Sequence, residues 1–305
     1  MDEKVNKPTI GLIKHRSSKR KTKSKKPRKL KRPTTSLSVI EPNDHVVGVP
    51  LENIGMTDCF LIAVLNILKL VIGTIVVDLT NESEIIQEMW KVFRREVDNV
   101  VAVRRLFTVK EHRTGFQDIE TAFDQLIEPM TKKCKEQFKL TCFWQWIGCK
   151  CLIATPSKTE NFFIHIKRVN GSISLSEVLS IKTQNTKICN VCGCQQKRAC
   201  YYQPGTFMML RLKNTEAGIR LIDENNNGCI DVPVKPNESI PMRVKAFIEY
   251  IPYDSFDYGS GGHYSTWIRE NNTENWTSVN DSKIIHSRDL HWENHDCAFI
   301  LLQKL

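Results

Sequence analysis

The chain has 305 residues and 41% hydrophobic content, enough to bury a substantial core in one large domain or two small ones, which excludes a peptide or a low-complexity scaffold. Its formal charge of +10 points to nucleic acid only until it is located: Lys14 to Arg32 holds twelve Lys/Arg and no Asp or Glu, and the few charges before it cancel. Everything after Arg32 is therefore slightly acidic, and a nucleic-acid partner is expected only through the tail.

Residues 1–44 are polar, basic and rich in Ser, Thr and Pro, without a periodicity that would bury a face, so a disordered tail is expected there and a folded domain over 45–305. The tail reads either as a nuclear or nucleolar address or as a solubilising arm, placing the protein in nucleus and/or cytoplasm. Cys59 to Leu79 is apolar over a length able to span a bilayer, but Asn66, Lys69 and Gly73 interrupt it, and a central Lys costs about 2.5–3.5 kcal/mol on insertion. A buried helix running into a strand over Ile72 to Asp78 explains the same residues, so no membrane span is expected. Further helices are expected over Ser83 to Val97 and Phe116 to Ile127, where apolar residues recur at helical spacing and acidic ones occupy the early turns. The second half changes character: Phe162 to Val169, Phe207 to Leu212 and Val244 to Ile251 are β-rich runs bounded by Gly, Asn and Pro. Helices first and strands later predict an α+β fold.

Eleven cysteines in a chain of this size, with no apolar segment and cleavage site near Met1, read as reduced thiols serving as metal ligands or nucleophiles. The Asn-x-Ser/Thr sequons at Asn81, Asn237, Asn271 and Asn275 carry no weight without a secretory context. Cys59 lies where the irregular segment Asn53 to Asp58 meets the apolar helix, and a helix N-terminus favours thiolate. Two hundred residues later, Gly262-His263-Tyr264 is followed by Trp276-Thr-Ser-Val-Asn280-Asp281-Ser282. As antiparallel strands joined at Glu270 to Asn275, these would bring Asn280 beside His263, the base and orienter that thiol acyl transfer requires.

These residues resemble the ubiquitin-specific proteases. The family's cysteine box, roughly Asn-x-Gly-Asn-Thr-Cys-Tyr-x-Asn-Ser-x-Leu-Gln-x-Leu, is met by Asn53-Ile-Gly55-Met-Thr-Asp58-Cys59-Phe60-Leu-Ile-Ala63-Val-Leu65-Asn66-Ile-Leu68. Its His box is met by Gly262-His263-Tyr264 and by Trp276 to Ser282. Gln117 to Ile127 looks like its Gln-Asp-Ala-x-Glu-Phe helix, with Thr121 in place of Glu, and Ala298-Phe-Ile-Leu-Leu like its closing strand. The resemblance covers about Val46 to Leu305. It implies a papain-like fold with a helical thumb, a β-rich palm and zinc-bearing fingers, gripping ubiquitin and cleaving the isopeptide bond after its C-terminal Gly. Cys59 would be the nucleophile, His263 the base, Asn280 the orienter and Asn53 an oxyanion donor. The fingers' structural zinc would fall to Cys149, Cys151, Cys189 and Cys192, with Cys142, Cys194 and Cys200 as rival ligands; Cys189-x-x-Cys192 has the usual spacing, Cys149-x-Cys151 one residue fewer.

The pattern breaks in two places. Asn53 stands six residues before Cys59 where the family has five, so either the loop bulges or another group serves as donor. Asp58 replaces a small residue, and a carboxylate beside Cys59 is expected to raise its pKa unless it turns to solvent or caps the helix. The rival expectations are a ubiquitin-binding module that has lost the chemistry, a protease for a ubiquitin-like modifier, and, less favoured, a zinc-dependent nucleic-acid binder.

Overall fold

The computed structural model describes residues 48–305 except 55, 74, 76–78, 150, 152–156, 167–172, 181, 213–220, 223–227, 254–260, 271–274, 289 and 291–294. The tail expected over 1–44 lies outside the described residues, as does most of the strand expected to end at Asp78.

The first half is helical. Helix α1 (Cys59–Ile72) is apolar on nearly every side because it is enclosed on nearly every side, packing on α4 (Ile119–Ile127) and on strand β11 (Gly262–Arg269). Of the three residues that interrupt the apolar stretch, Asn66 is fully buried and satisfied: its amide oxygen accepts from Val49 N at 2.6 Å, and its amide nitrogen donates to Val49 O and Ile62 O. That clamp ties the first described segment to the helix. Among the described residues no helix is long and apolar enough to cross a membrane.

Helix α2 (Glu84–Phe93) buries Ile85, Ile86, Met89, Trp90 and Phe93 at the expected spacing, but stops before Val97. Arg95 there takes a left-handed φ of 58°, which ends the helical path. Helix α4 starts at Ile119 rather than Phe116 because Asp118 caps it, its carboxylate accepting from Thr121 N at 2.9 Å. The short helix α3 (Val101–Arg105) lies between them.

The second half builds two sheets. The larger runs β13 (Lys283–Ser287), β12 (Trp276–Asn280), β11, β10 (Glu238–Pro252), β14 (Cys297–Lys304), β7 (Phe207–Leu212) and β3 (Phe163–Ile166), with β9 (Cys229–Lys235) also pairing with β10. Both faces of its centre are covered, so its strands are apolar on both sides. Ala246, Ile248, Tyr250, Tyr264 and Ile268 join the core around α1, while Phe247, Trp276 and Ile300 join a second core on the far face. The smaller sheet, ordered β2 (Ser157–Asn161), β1 (Leu140–Ile147), β6 (Gln195–Gln203), β5 (Lys182–Ile188), is an antiparallel extension whose base strands enter that second core through Leu140, Cys142, Cys200 and Tyr202. The fold is mixed α and β, with helices and strands segregated along the chain as expected.

Candidate active site

Cys59 is the first residue of α1 and is 2% exposed. Its pKa lies above the ordinary thiol value. Burial is the main cause; a hydrogen bond from the Tyr264 main chain opposes it, and the Asp281 carboxylate adds to it. The helix terminus does favour thiolate, through the main-chain N–H groups of Cys59 and Phe60, but desolvation outweighs it, which corrects the expectation of a lowered pKa.

Strands β11 and β12 are antiparallel, with Thr266 opposite Val279. One step further along that register puts Asn280 opposite Ser265, two residues from His263 on the same face. His263 Nε2 and Asn280 Oδ1 are 2.7 Å apart. An amide oxygen only accepts, so Nε2 carries the proton and Nδ1 is the basic nitrogen of the neutral ring. Among the described residues no hydrogen bond joins Cys59 to His263.

The turn after Asn280 matters equally. Asn280 pairs with Lys283, so Asp281 and Ser282 form a two-residue hairpin loop, and Asp281 has the positive φ (50°) such loops require. The turn sends Asp281 back to the cysteine loop: its main-chain oxygen accepts from Leu51 N, and its Oδ2 accepts from Asn53 Nδ2 at 3.1 Å. Asn53 Oδ1 in turn accepts from Asp58 N at 2.9 Å. The additional residue before Cys59 is absorbed as a bulge, a turn closed by Met56 N to Asn53 O, with Met56 exposed at φ 57°. Asn53 thus reaches the site, but as a clamp between Asp58 and Asp281.

Asp58 neither faces solvent nor caps α1. Its carboxylate is buried against the guanidinium of Arg104 on α3, itself buried. Arg104 Nη1 also donates to Thr57 O (3.1 Å) and Thr57 Oγ1 (2.9 Å), Nη2 donates to Gly115 O, and the guanidinium lies 5.1 Å from the Phe60 ring centroid. Asp58 is not among the groups that raise Cys59, so the expected penalty from this acid is corrected; the acid that acts on the sulfur is Asp281. Neither Arg104 nor Asp281 emerged as a site residue from the sequence, although Asp281 stands inside the His box.

Away from this site, the Sγ atoms of Cys149, Cys151, Cys189 and Cys192 all lie within 4.8 Å of one another, at the end of β1 and in the turn joining β5 to β6. Four sulfurs about 2.3 Å from a zinc ion stand roughly 3.8 Å apart, so the donor set fits a tetrahedral thiolate site despite the short Cys149-x-Cys151 spacing. A knuckle shapes the second pair: Gly193 N donates to Cys189 O, and Gly193 takes a φ of 70°. Crowding pushes Cys151 up to about 12 through hydrogen bonds with Cys192 and then Cys149, while the Cys194 main chain pulls Cys192 down. A metal cation bound by such a cluster displaces its protons. Cys142 and Cys200 belong to the second core and stand apart from it.

No family model and no curated protein matches the sequence. Solved structures do match. A chain of the SAGA DUB module Ubp8/Sgf11/Sus1/Sgf73 bound to monoubiquitin aligns at TM-score 0.60 and 11% identity, covering 89% of this chain and 72% of that one. The same module bound to ubiquitin aldehyde aligns at 0.59 and 11%, covering 86% and 70%. An essential yeast splicing factor aligns at 0.59 and 10%, covering 85% and 69%. The chain shares their fold. Identity this low carries the architecture alone, and the three names diverge: two are ubiquitin complexes and one is a splicing factor. The chemistry must be argued from the residues at the site.

Proposed function

We propose that this protein is a deubiquitinating thiol isopeptidase that hydrolyses the bond between the C-terminal Gly of ubiquitin and a substrate amine. The observation that carries this reading is the His263–Asn280 pair at 2.7 Å, on the strand whose next residue, Tyr264, acts through its main chain to favour the Cys59 thiolate. His263 Nδ1 takes the thiol proton, and Cys59 attacks the glycyl carbonyl to give a tetrahedral oxyanion. Main-chain N–H groups at the start of α1 serve as oxyanion donors, and the Asn53 amide, one N–H of which is tied to Asp281, joins them through its other N–H. Protonated His263 returns its proton to the departing amine, and water, deprotonated by His263, then cleaves the thioester. Asn280 holds the ring in the tautomer these steps need.

The ubiquitin complexes among the structural relatives support ubiquitin as the modifier. A structural zinc is proposed on Cys149, Cys151, Cys189 and Cys192, remote from the chemistry and stiffening the end of the smaller sheet. The basic segment Lys14 to Arg32 is proposed as a nuclear address.

One observation favours a second reading, a ubiquitin-binding module without turnover: Cys59 is buried, its pKa is raised, and it has no hydrogen bond to His263 among the described residues. The deciding experiment incubates the full chain with ubiquitin carrying a C-terminal thiol-reactive warhead, beside Cys59→Ala, with products weighed by mass spectrometry. An adduct lost in the variant supports the isopeptidase. No adduct with calorimetric ubiquitin binding supports the second reading, and no binding removes ubiquitin and turns attention to ubiquitin-like modifiers.

A further inference from the structure

The cysteine loop presents a problem of charge. An acid directly precedes the nucleophile, and the site has a second acid, Asp281, already opposing ionisation of Cys59. Two carboxylates against one thiolate would hold the sulfur protonated across the neutral range. Among the described residues the fold answers with a single cation. Arg104 comes from α3, 46 residues away along the chain, and both it and Asp58 are almost fully buried. Without such a partner a buried carboxylate ionises only at higher pH, in the range where a thiol also titrates.

Arg104 does more than cancel a charge. Its guanidinium bonds the Thr57 main-chain and side-chain oxygens, the Asp58 carboxylate and the Gly115 main-chain oxygen, its Nε donates to His112 O at 3.4 Å, and it lies against the Phe60 ring. Thr57, Asp58 and Phe60 bracket Cys59 on both sides. The start of α1 has no side-chain cap; a guanidinium only donates and leaves the free N–H groups there open, but its bonds tie the residues that lead into the helix to α3.

We propose that Arg104 is a positioning residue for Cys59: by taking up the Asp58 carboxylate and tying Thr57 and Phe60, it holds the preceding acid off the sulfur and fixes the start of α1. The inference rests on the reading of Cys59 as nucleophile. The other groups that act on the sulfur are Asp281 at the hairpin turn, Tyr264 on β11 and Tyr253 just beyond β10, with His263 one residue before Tyr264 on the same strand. His112, whose main-chain oxygen accepts from Arg104 Nε, and Arg113, which donates to Phe107 O, come from the 3-10 turn Lys110–Arg113. None of these exchanges a charge with Asp58 as Arg104 does.

The test reads the thiolate directly, without ubiquitin. Full-length protein is alkylated with iodoacetamide across a pH series, the thiolate displacing iodide, and the rate at Cys59 is followed on its own peptide by mass spectrometry. Removing the cation in Arg104→Met leaves Asp58 bare and is expected to raise the midpoint at Cys59 by about one pH unit or more, whereas Asp58→Asn leaves the cation and is expected to lower it. The double variant D58N/R104M returns the midpoint towards wild type. Arg104→Lys keeps the charge but loses the fork, so its midpoint stays near wild type while its reaction with the ubiquitin warhead slows. Shifts of opposite sign are not produced by loosening the fold. Shifts of the same sign in the two single variants, or none, would overturn the proposal. Should Arg104→Met fail to fold, Asp58→Asn still decides it: an unchanged or raised midpoint overturns it. Opposite shifts in the two single variants, with no ubiquitin adduct in the wild type, refute the isopeptidase reading and leave the role of Arg104 standing.

Discussion

Asn280 Oδ1 lies 2.7 Å from His263 Nε2, yet Asn280 stands not opposite His263 on the neighbouring strand but diagonal to it, on the same face. The hairpin turn that begins at Asp281 places the amide there. Asn280→Ala is expected to lower kcat/KM on a ubiquitin C-terminal fluorogenic amide by about 10²-fold, because the ring loses the contact that fixes its tautomer. Asn280→Asp keeps an acceptor and is expected to stay within about tenfold of wild type. It also adds a negative charge beside the imidazole. That charge favours the protonated ring, so the His263 limb of the pH profile moves to higher pH. Equal activity in Asn280→Ala and wild type would remove Asn280 from the machinery.

Much of this site was legible because its residues sit in local patterns. Cys59 heads an apolar helix, His263 follows two glycines, and Asn280 ends a short strand, so each motif announces its own backbone geometry. The strand Phe207–Leu212 was readable to the residue for the same reason. Strand β10 was readable only from Val244: its first residues pair with β9, and an exposed hairpin arm carries no apolar run. What the motifs do not carry is the fate of a charge. Whether Asp58 opposes Cys59 depends on Arg104, which only tertiary packing brings near. Whether a helix terminus lowers a thiol's pKa depends on how deeply the thiol is buried, and here burial prevails.

The thiol cluster separates ligands from rivals. Wild-type protein is expected to retain zinc, read by elemental analysis of purified samples, and Cys192→Ser and Cys149→Ser are each expected to lose it and to melt at a lower temperature. Cys142→Ser and Cys200→Ser disturb the second core without touching the cluster, so they are expected to keep their zinc. Cys194 interacts with Cys192 but lies outside the four, and Cys194→Ser is expected to keep its zinc as well. Zinc lost only in Cys194→Ser would redraw the site.

Asp281 offers a pH prediction whose sign is fixed. Its carboxylate raises the pKa of Cys59, so the thiolate forms at higher pH than it otherwise would. Asp281→Asn removes the charge and keeps an oxygen for Asn53 Nδ2. The alkaline rise in alkylation at Cys59 is therefore expected to move to lower pH. It does not reach the ordinary thiol range, because burial, the larger cause, remains. A shift to higher pH would mean that Asp281 acts on the sulfur through loop geometry and not through its charge.

Gly262 tests how closely the His263 strand is fitted to its neighbour. A Cβ there would fall 2.4 and 2.5 Å from ring carbons of Tyr250 and 2.6 Å from its hydroxyl, and that ring is itself packed against Tyr264 with centroids 5.0 Å apart. The ring has little room to swing away, so the strand must move, carrying His263 with it. Gly262→Ala is expected to cost roughly 1–3 kcal/mol, the range for overpacking. Gly193→Ala is the control: its added carbon meets nothing within 4 Å, and only the positive φ of 70° is penalised. In thermal unfolding Gly262→Ala should fall further than Gly193→Ala, and it alone should slow adduct formation with the ubiquitin warhead. The double variant Y250L/G262A makes room for the methyl group and should recover part of both losses. Recovery of stability without recovery of reactivity would show that the Tyr250 ring itself is needed to place His263.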